Sequence, residues 1–167
     1  MKNQDQKVRW ITQGAVIAAA YVALTVVFAP ISFGPVQLRI AEALCIMPLF
    51  TPAAVPGLFI GCLLANIIGG GIAVDVVFGS IATLIGAWLG CKLRHNRWLV
   101  PIPAILANTI IVPFVLYYGY GFTDTVIPLL ALQIFIGEVG GCFVLGELLA
   151  TALLKRNIAL FSDVTDA

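Results

Sequence analysis

Residues 74–97 read VDVVFGSIATLIGAWLGCKLRHNR. The first part of this stretch carries a single charge, Asp75, near its start, and it is followed at once by Lys92, Arg94 and Arg97. An apolar run of about 18 residues that stops against a basic cluster is the pattern of a membrane-spanning helix whose end faces the cytoplasm. Two more basic clusters flank the chain: Lys2, Lys7 and Arg9 precede its first apolar tract, and Lys155 and Arg156 follow its last. Apart from Arg39, no other Lys or Arg is present. Placing all three clusters on one side requires an even number of crossings between them. The apolar tracts between them divide as four and two, at about residues 10–29, 38–50, 53–68, 74–91, 99–118 and 126–154. The expected architecture is an all-α membrane protein, a six-transmembrane-helix bundle with both termini cytoplasmic, formed by residues 1–167 as a single integral membrane domain.

Composition agrees. Of 167 residues, 61% are hydrophobic and only 10% charged, against a soluble norm of about half apolar and a quarter charged. The net charge of +1 leaves no basic stripe for nucleic acid. Cys45, Cys62, Cys91 and Cys142 lie in apolar tracts without C-x-x-C spacing, and His95 sits alone in a basic loop. They read as buried free thiols, and no metal site is expected. Residues 1–9 lead straight into the first tract without a small-residue cleavage site, so an uncleaved first helix is expected.

The tracts are not alike. Residues 38–50 are too few for a perpendicular α-helical crossing and contain Pro48, so a tilted or re-entrant segment is expected there. The third tract breaks at Gly69, Gly70 and Gly71, the fifth contains Pro101, Pro103 and Pro113, and the sixth exceeds the hydrocarbon thickness and must tilt or protrude. The loops expected outside carry Phe33 with Pro35, the triple glycine before Asp75, and Tyr117, Tyr118, Tyr120, Phe122 and Asp124. Aromatic residues there serve as an interfacial belt or as a stacking surface for a planar ring. Small residues recur every four positions at Ala15/Ala19/Ala23, Gly57/Gly61, Gly86/Gly90 and Gly137/Gly141. The glycine pairs read as internal helix contacts; for the alanine ridge an external partner competes with internal packing.

Arg39, Glu42, Asp75, Glu138 and Glu147 lie inside or beside these tracts. A charged side chain near a bilayer centre costs about 2.5–3.5 kcal/mol on insertion scales, so such groups are expected to face the bundle interior and serve a polar ligand or ion. Glu147 falls near the cytoplasmic end and is expected to pair with a Lys or Arg there.

The runs GPVQLRIAEAL (34–44), VPGLFIGCLLAN (55–66) and DVVFGS (75–80) resemble the QueT family of queuosine-precursor transporters over nearly the whole chain. The resemblance implies a substrate-binding S component of an energy-coupling factor (ECF) importer in the cell membrane. It implies capture from outside of a 7-deazaguanine, the 7-cyano or the 7-aminomethyl compound. It also implies association with a transmembrane coupling subunit and two ATPases, docking through Ala15, Ala19 and Ala23. ATP is used by those partners, and this chain has no G-x-x-x-x-G-K-[ST] run and no expected cofactor.

For such a cargo, a carboxylate accepts a ring N–H and an exocyclic amine side by side. Glu138, flanked by Gly137, Gly140 and Gly141, is the first candidate, with a structural pairing to Arg39 as the other reading. Gln133 and Asn108 serve either the ligand or an interhelical hydrogen bond. Arg39 and Glu42, three apart, read most simply as a neutralising pair. Asp75 reads as a helix cap or as a ligand for an amine. Asn66, Tyr117 and a lid residue, Phe33, complete the candidate substrate-binding set. One embedded cation against four acids leans toward an amine-bearing substrate. Two other classes stay open at this point: a stand-alone proton-coupled carrier and a non-transporting scaffold. Enzymatic function is not expected, since no nucleophile, base and orienting residue share a motif.

Overall fold

The computed structural model describes residues 2–29 and 39–156, all helix, turn or loop, with no strand among them. Helix α1 runs Lys2–Val27. A 3₁₀ helix, Ile40–Leu49, follows. Then come α2 (Ala54–Ile68), α3 (Ala73–Lys92), a short 3₁₀ turn (Arg97–Leu99) and α4 (Ile102–Phe114), which continues as a π segment, Val115–Gly119. Helix α5 (Ile127–Glu138) passes through a second π segment, Val139–Leu145, into α6 (Gly146–Arg156).

Four helical stretches are long and apolar enough to cross a bilayer: Gln4–Val27, Ala73–Lys92, Arg97–Gly119 and Ile127–Arg156. The second and third expected spans are shorter, at 10 and 15 residues. In the first of these, the 3₁₀ form changes the length. At a rise of about 2.0 Å per residue, ten residues reach about 20 Å, where an α-helix reaches about 15 Å. Sequence composition predicts an apolar segment but says nothing of its hydrogen-bond register.

This 3₁₀ helix is the centre of the bundle. Residues Ala41 through Pro48 are all buried, and α1, α2, α3, the second π segment and α6 pack around it. Outward faces are apolar. Ile102, Leu106, Ile110 and Phe114 form an exposed i, i+4 stripe on α4, and Phe78, Ile81, Ile85 and Trp88, spaced three and four apart, form an exposed stripe on α3. Buried polar groups with exposed apolar stripes invert the soluble arrangement, as lipid contact requires.

Glycines set the closest approaches. A Cβ on Gly57 would lie 2.7 Å from Gly14 O, and one on Gly86 would lie 2.5 Å from Ala104 Cα, so α1 meets α2 and α3 meets α4 backbone to backbone. Those glycine pairs pack internally, as their spacing predicts. The alanine ridge does not. Ala15, Ala19 and Ala23 are exposed along an apolar groove of about 800 Å³ between α1 and α2.

Helix α2 ends in a Schellman motif: Gly70 sits at φ +76°, with Gly71 N–H donating to Asn66 O at 2.8 Å and Gly70 N–H to Ile67 O at 3.3 Å. This tight reversal returns the chain so that the first turn of α3, with Asp75, stands over Asn66. At the opposite end, Arg97 Nε meets Glu147 Oε2 at 3.0 Å, the basic partner expected for Glu147, and the guanidinium lies over the Trp98 ring.

Candidate functional site

Buried polar side chains converge on one region. Arg39, Glu42, Asn66, Asp75, Asn108 and Glu138 are each at most 5% exposed, although they come from the 3₁₀ helix and its start, α2, α3, α4 and α5. Six of the nine candidate substrate-binding residues thus fall among the buried polar groups of the bundle interior.

Arg39 is the N-cap of the 3₁₀ helix, in extended conformation. Its guanidinium Nη2 lies 3.7 Å from Asp75 Oδ2. The i, i+3 spacing suggested a partnership with Glu42; the fold brings Asp75 to the guanidinium through the Schellman turn. Asp75 does not stand at the N-cap of α3: that position is Ile72, whose side chain makes no capping hydrogen bond. The Asp75 carboxylate instead accepts from Tyr120 Oη at 2.9 Å, while Tyr120 Oη accepts from Ile72 N–H at 3.4 Å. Burial, and then the neighbouring Asp75 carboxylate, push the Tyr120 hydroxyl above the ordinary tyrosine range, which keeps it a donor. Asp75 Oδ1 is buried with no hydrogen-bond partner among the described residues. A Cβ on Gly79 would stand 3.1 Å from that oxygen and 3.3 Å from Asn66 Nδ2. Asn66 Nδ2 reaches Asp75 O at 3.5 Å.

Glu42 is held from two sides. Tyr21 Oη donates to Oε1 at 2.5 Å and Cys45 Sγ to Oε2 at 2.8 Å. Residues three apart eclipse in a 3₁₀ helix, which stacks Cys45 on Glu42. Glu138 receives Cys142 Sγ at 3.1 Å, and Asn108 lies near its carboxyl group. Gly141 makes the approach close, since a Cβ there would lie 2.9 Å from Arg39 O.

The other candidates stand apart. Gln133 is half-buried and its side chain makes no hydrogen bond among the described residues. Tyr117 packs on the apolar cluster of Val112, Leu116, Leu130 and Ile134 and meets Tyr118 edge-on at 5.0 Å. Phe33 lies outside the described residues. Missed by sequence reasoning were Tyr21, Cys45 and Cys142 as partners of the two glutamates. Tyr21 had a signal: with Gln13, Ile17 and Thr25 it forms the buried i, i+4 face of α1, three of whose members carry polar tips inside an apolar span.

A helical bundle with apolar stripes outside and a buried acidic and amide cluster inside defines a multi-pass membrane protein. The QueT transporter family model matches residues 11–155, and the chain belongs to that family. The queuosine precursor transporter QueT of Lactococcus lactis subsp. cremoris (strain MG1363) is 36% identical over 81 residues. That similarity covers 47% of this chain and 47% of the relative, so the match spans about half of its length. No solved structure matches. A transporter family agrees with the absence of any expected catalytic motif.

Proposed function

We propose that this chain is the S component of an ECF-type importer, which captures a queuosine precursor of the 7-deazaguanine class from outside the cell membrane. The observation that supports this most directly is the convergence of Glu138, Glu42, Asp75, Asn66 and Asn108 beside Arg39 in the membrane interior of a QueT family member. Glu138 accepts the ring N–H and exocyclic amine of the base. Asn108 meets its remaining heteroatoms. Asp75, with an oxygen lacking a hydrogen-bond partner among the described residues, is the group for an aminomethyl substituent. One cation, Arg39, among the acids Glu42, Asp75 and Glu138 favours that amine-bearing precursor over the cyano compound on charge balance.

The chain crosses six times with both termini inside; the short 3₁₀ segment sits at the centre, while α2 packs on α1 and α3 with one face outward. It hydrolyses no ATP. A transmembrane coupling subunit docks on Ala15, Ala19 and Ala23 in the groove between α1 and α2, and two ATPases on that subunit drive release inside. The groove's exposed, almost wholly apolar lining suits helix-to-helix contact.

Titration of the chain in nanodiscs with both deazaguanines, and guanine as control, tests the reading. Saturable binding of a deazaguanine with guanine rejected supports it, and equal binding of the amino and cyano forms across a pH series removes the charge argument. If a folded sample binds neither, the assignment fails.

A further inference from the structure

Each central glutamate stands beside a thiol. Glu42 and Cys45 are three apart on the 3₁₀ helix, and Glu138 and Cys142 are four apart where α5 passes into its π segment. Cys45 Sγ is 2.8 Å and Cys142 Sγ 3.9 Å from Glu42 Oε2, and Cys142 Sγ is 3.1 Å from Glu138 Oε2. The ligand atoms of Glu42, Cys45 and Cys142 all lie within 4.8 Å of one another, and all three residues are buried. Two carboxylate–thiol pairs therefore face each other from adjacent helices, the way bundle metal sites are assembled from short-spaced pairs on facing helices.

We propose that Glu42, Cys45, Glu138 and Cys142 form a four-ligand site for one thiophilic divalent cation of the zinc or cadmium class, and that the cation and the organic ligand exclude each other there. The competition rests on the function proposed above; the metal site itself does not. Metal–sulfur bonds of about 2.3 Å and metal–oxygen bonds of about 2.0 Å, arranged tetrahedrally, separate a sulfur from an oxygen by about 3.5 Å. Within the group of Glu42, Cys45 and Cys142 the observed 2.8 and 3.9 Å fall on both sides of that value, and Glu138, outside that group but 3.1 Å from Cys142 Sγ, rotates inward to complete the geometry. Two sulfurs in the donor set select against magnesium and calcium, which take oxygen ligands. The charge balance is favourable in a dry interior. As the divalent ion enters, the two thiols lose their protons to solvent, and the net charge of the cluster is unchanged. Sequence spacing gave no sign of this site because its two halves lie about a hundred residues apart.

The test is titration of the full chain in nanodiscs, kept reduced by a non-thiol reductant, with cadmium alone, reading the ultraviolet thiolate-to-metal absorption. Expected is saturation at one ion per chain, with apparent affinity rising about a hundredfold per pH unit as two protons are released. Cys91→Ser leaves the absorption intact, the double change Cys45→Ser/Cys142→Ser abolishes it, and Glu42→Gln weakens binding tenfold or more. No absorption, or absorption that survives the double change, overturns the site. Should the double variant lose its helical circular dichroism, Cys142→Ala alone halves the absorption per ion if the site is right and leaves it unchanged if it is wrong. Saturating deazaguanine is expected to weaken cadmium binding tenfold or more, and an unchanged affinity overturns the competition. Cadmium binding without any deazaguanine binding sinks the function proposed above and leaves the metal site standing; the converse result does the reverse.

Discussion

Arg39 and Asp75 meet at 3.7 Å with both side chains almost fully buried, and a buried pair of this kind is costly to break from one side. Removing one partner of a buried pair costs up to about 3–5 kcal/mol, and less where the remaining charge keeps other neighbours, as Arg39 does. Asp75→Asn is therefore expected to lower thermal stability sharply in detergent, and Arg39→Met/Asp75→Asn together to recover part of the loss. A double variant no more stable than the single one would show that the two charges act separately. Tyr120→Phe removes a donor to the same carboxylate at a cost of about 1.5–3 kcal/mol, read as a lowered melting temperature. Sequence spacing made Glu138, Asn108, Asn66 and Asp75 legible as interior polar groups, because a charge or amide in an apolar span has few alternatives. Their partners were not legible. Asp75 reaches Arg39 across a Schellman turn, and Tyr21 reaches Glu42 from another helix, so neither contact has a periodicity to read.

Among the elements, α3 follows the expected span to within a residue or so, because an apolar run bounded by glycines and lysine has unambiguous ends. The 3₁₀ helix and the two π segments were invisible in advance. Pro113 lacks the N–H that an α-helix needs, and the helix passes into the π segment Val115–Gly119 just after it. Whether a helix widens after such a residue depends on its neighbours as well as on its sequence. Glycine contacts give a direct check on helix packing. Gly86→Ala places a methyl against the backbone of Ala104 and is expected to cost about 1–3 kcal/mol as overpacking. Gly70→Ala meets open space but forces a left-handed backbone on a substituted residue, at about 1–2 kcal/mol. Equal stability of Gly86→Ala and the parent protein in thermal unfolding would contradict the close α3–α4 contact.

At the scale of the whole molecule, the function proposed above assigns capture to the polar cluster inside the bundle and energy supply to a partner on the alanine groove outside it. The exposed ridge provides the separation. Ala19→Trp is expected to leave ligand binding by the isolated chain unchanged and to abolish ATP-driven uptake in vesicles that contain the coupling subunit and ATPases. Loss of both activities would place Ala19 in the fold or site instead of at a docking surface. The order of basic clusters predicts a crossing pattern of which four helices are long and apolar enough to span, whereas the identity of the surface left uncovered required the packed helices. The most direct test of the central claim is the affinity of the purified chain for 7-aminomethyl-7-deazaguanine, measured by calorimetry beside Glu138→Gln. The account predicts saturable binding by the parent protein and a loss of a hundredfold or more in the variant; undiminished binding by a folded Glu138→Gln would contradict it.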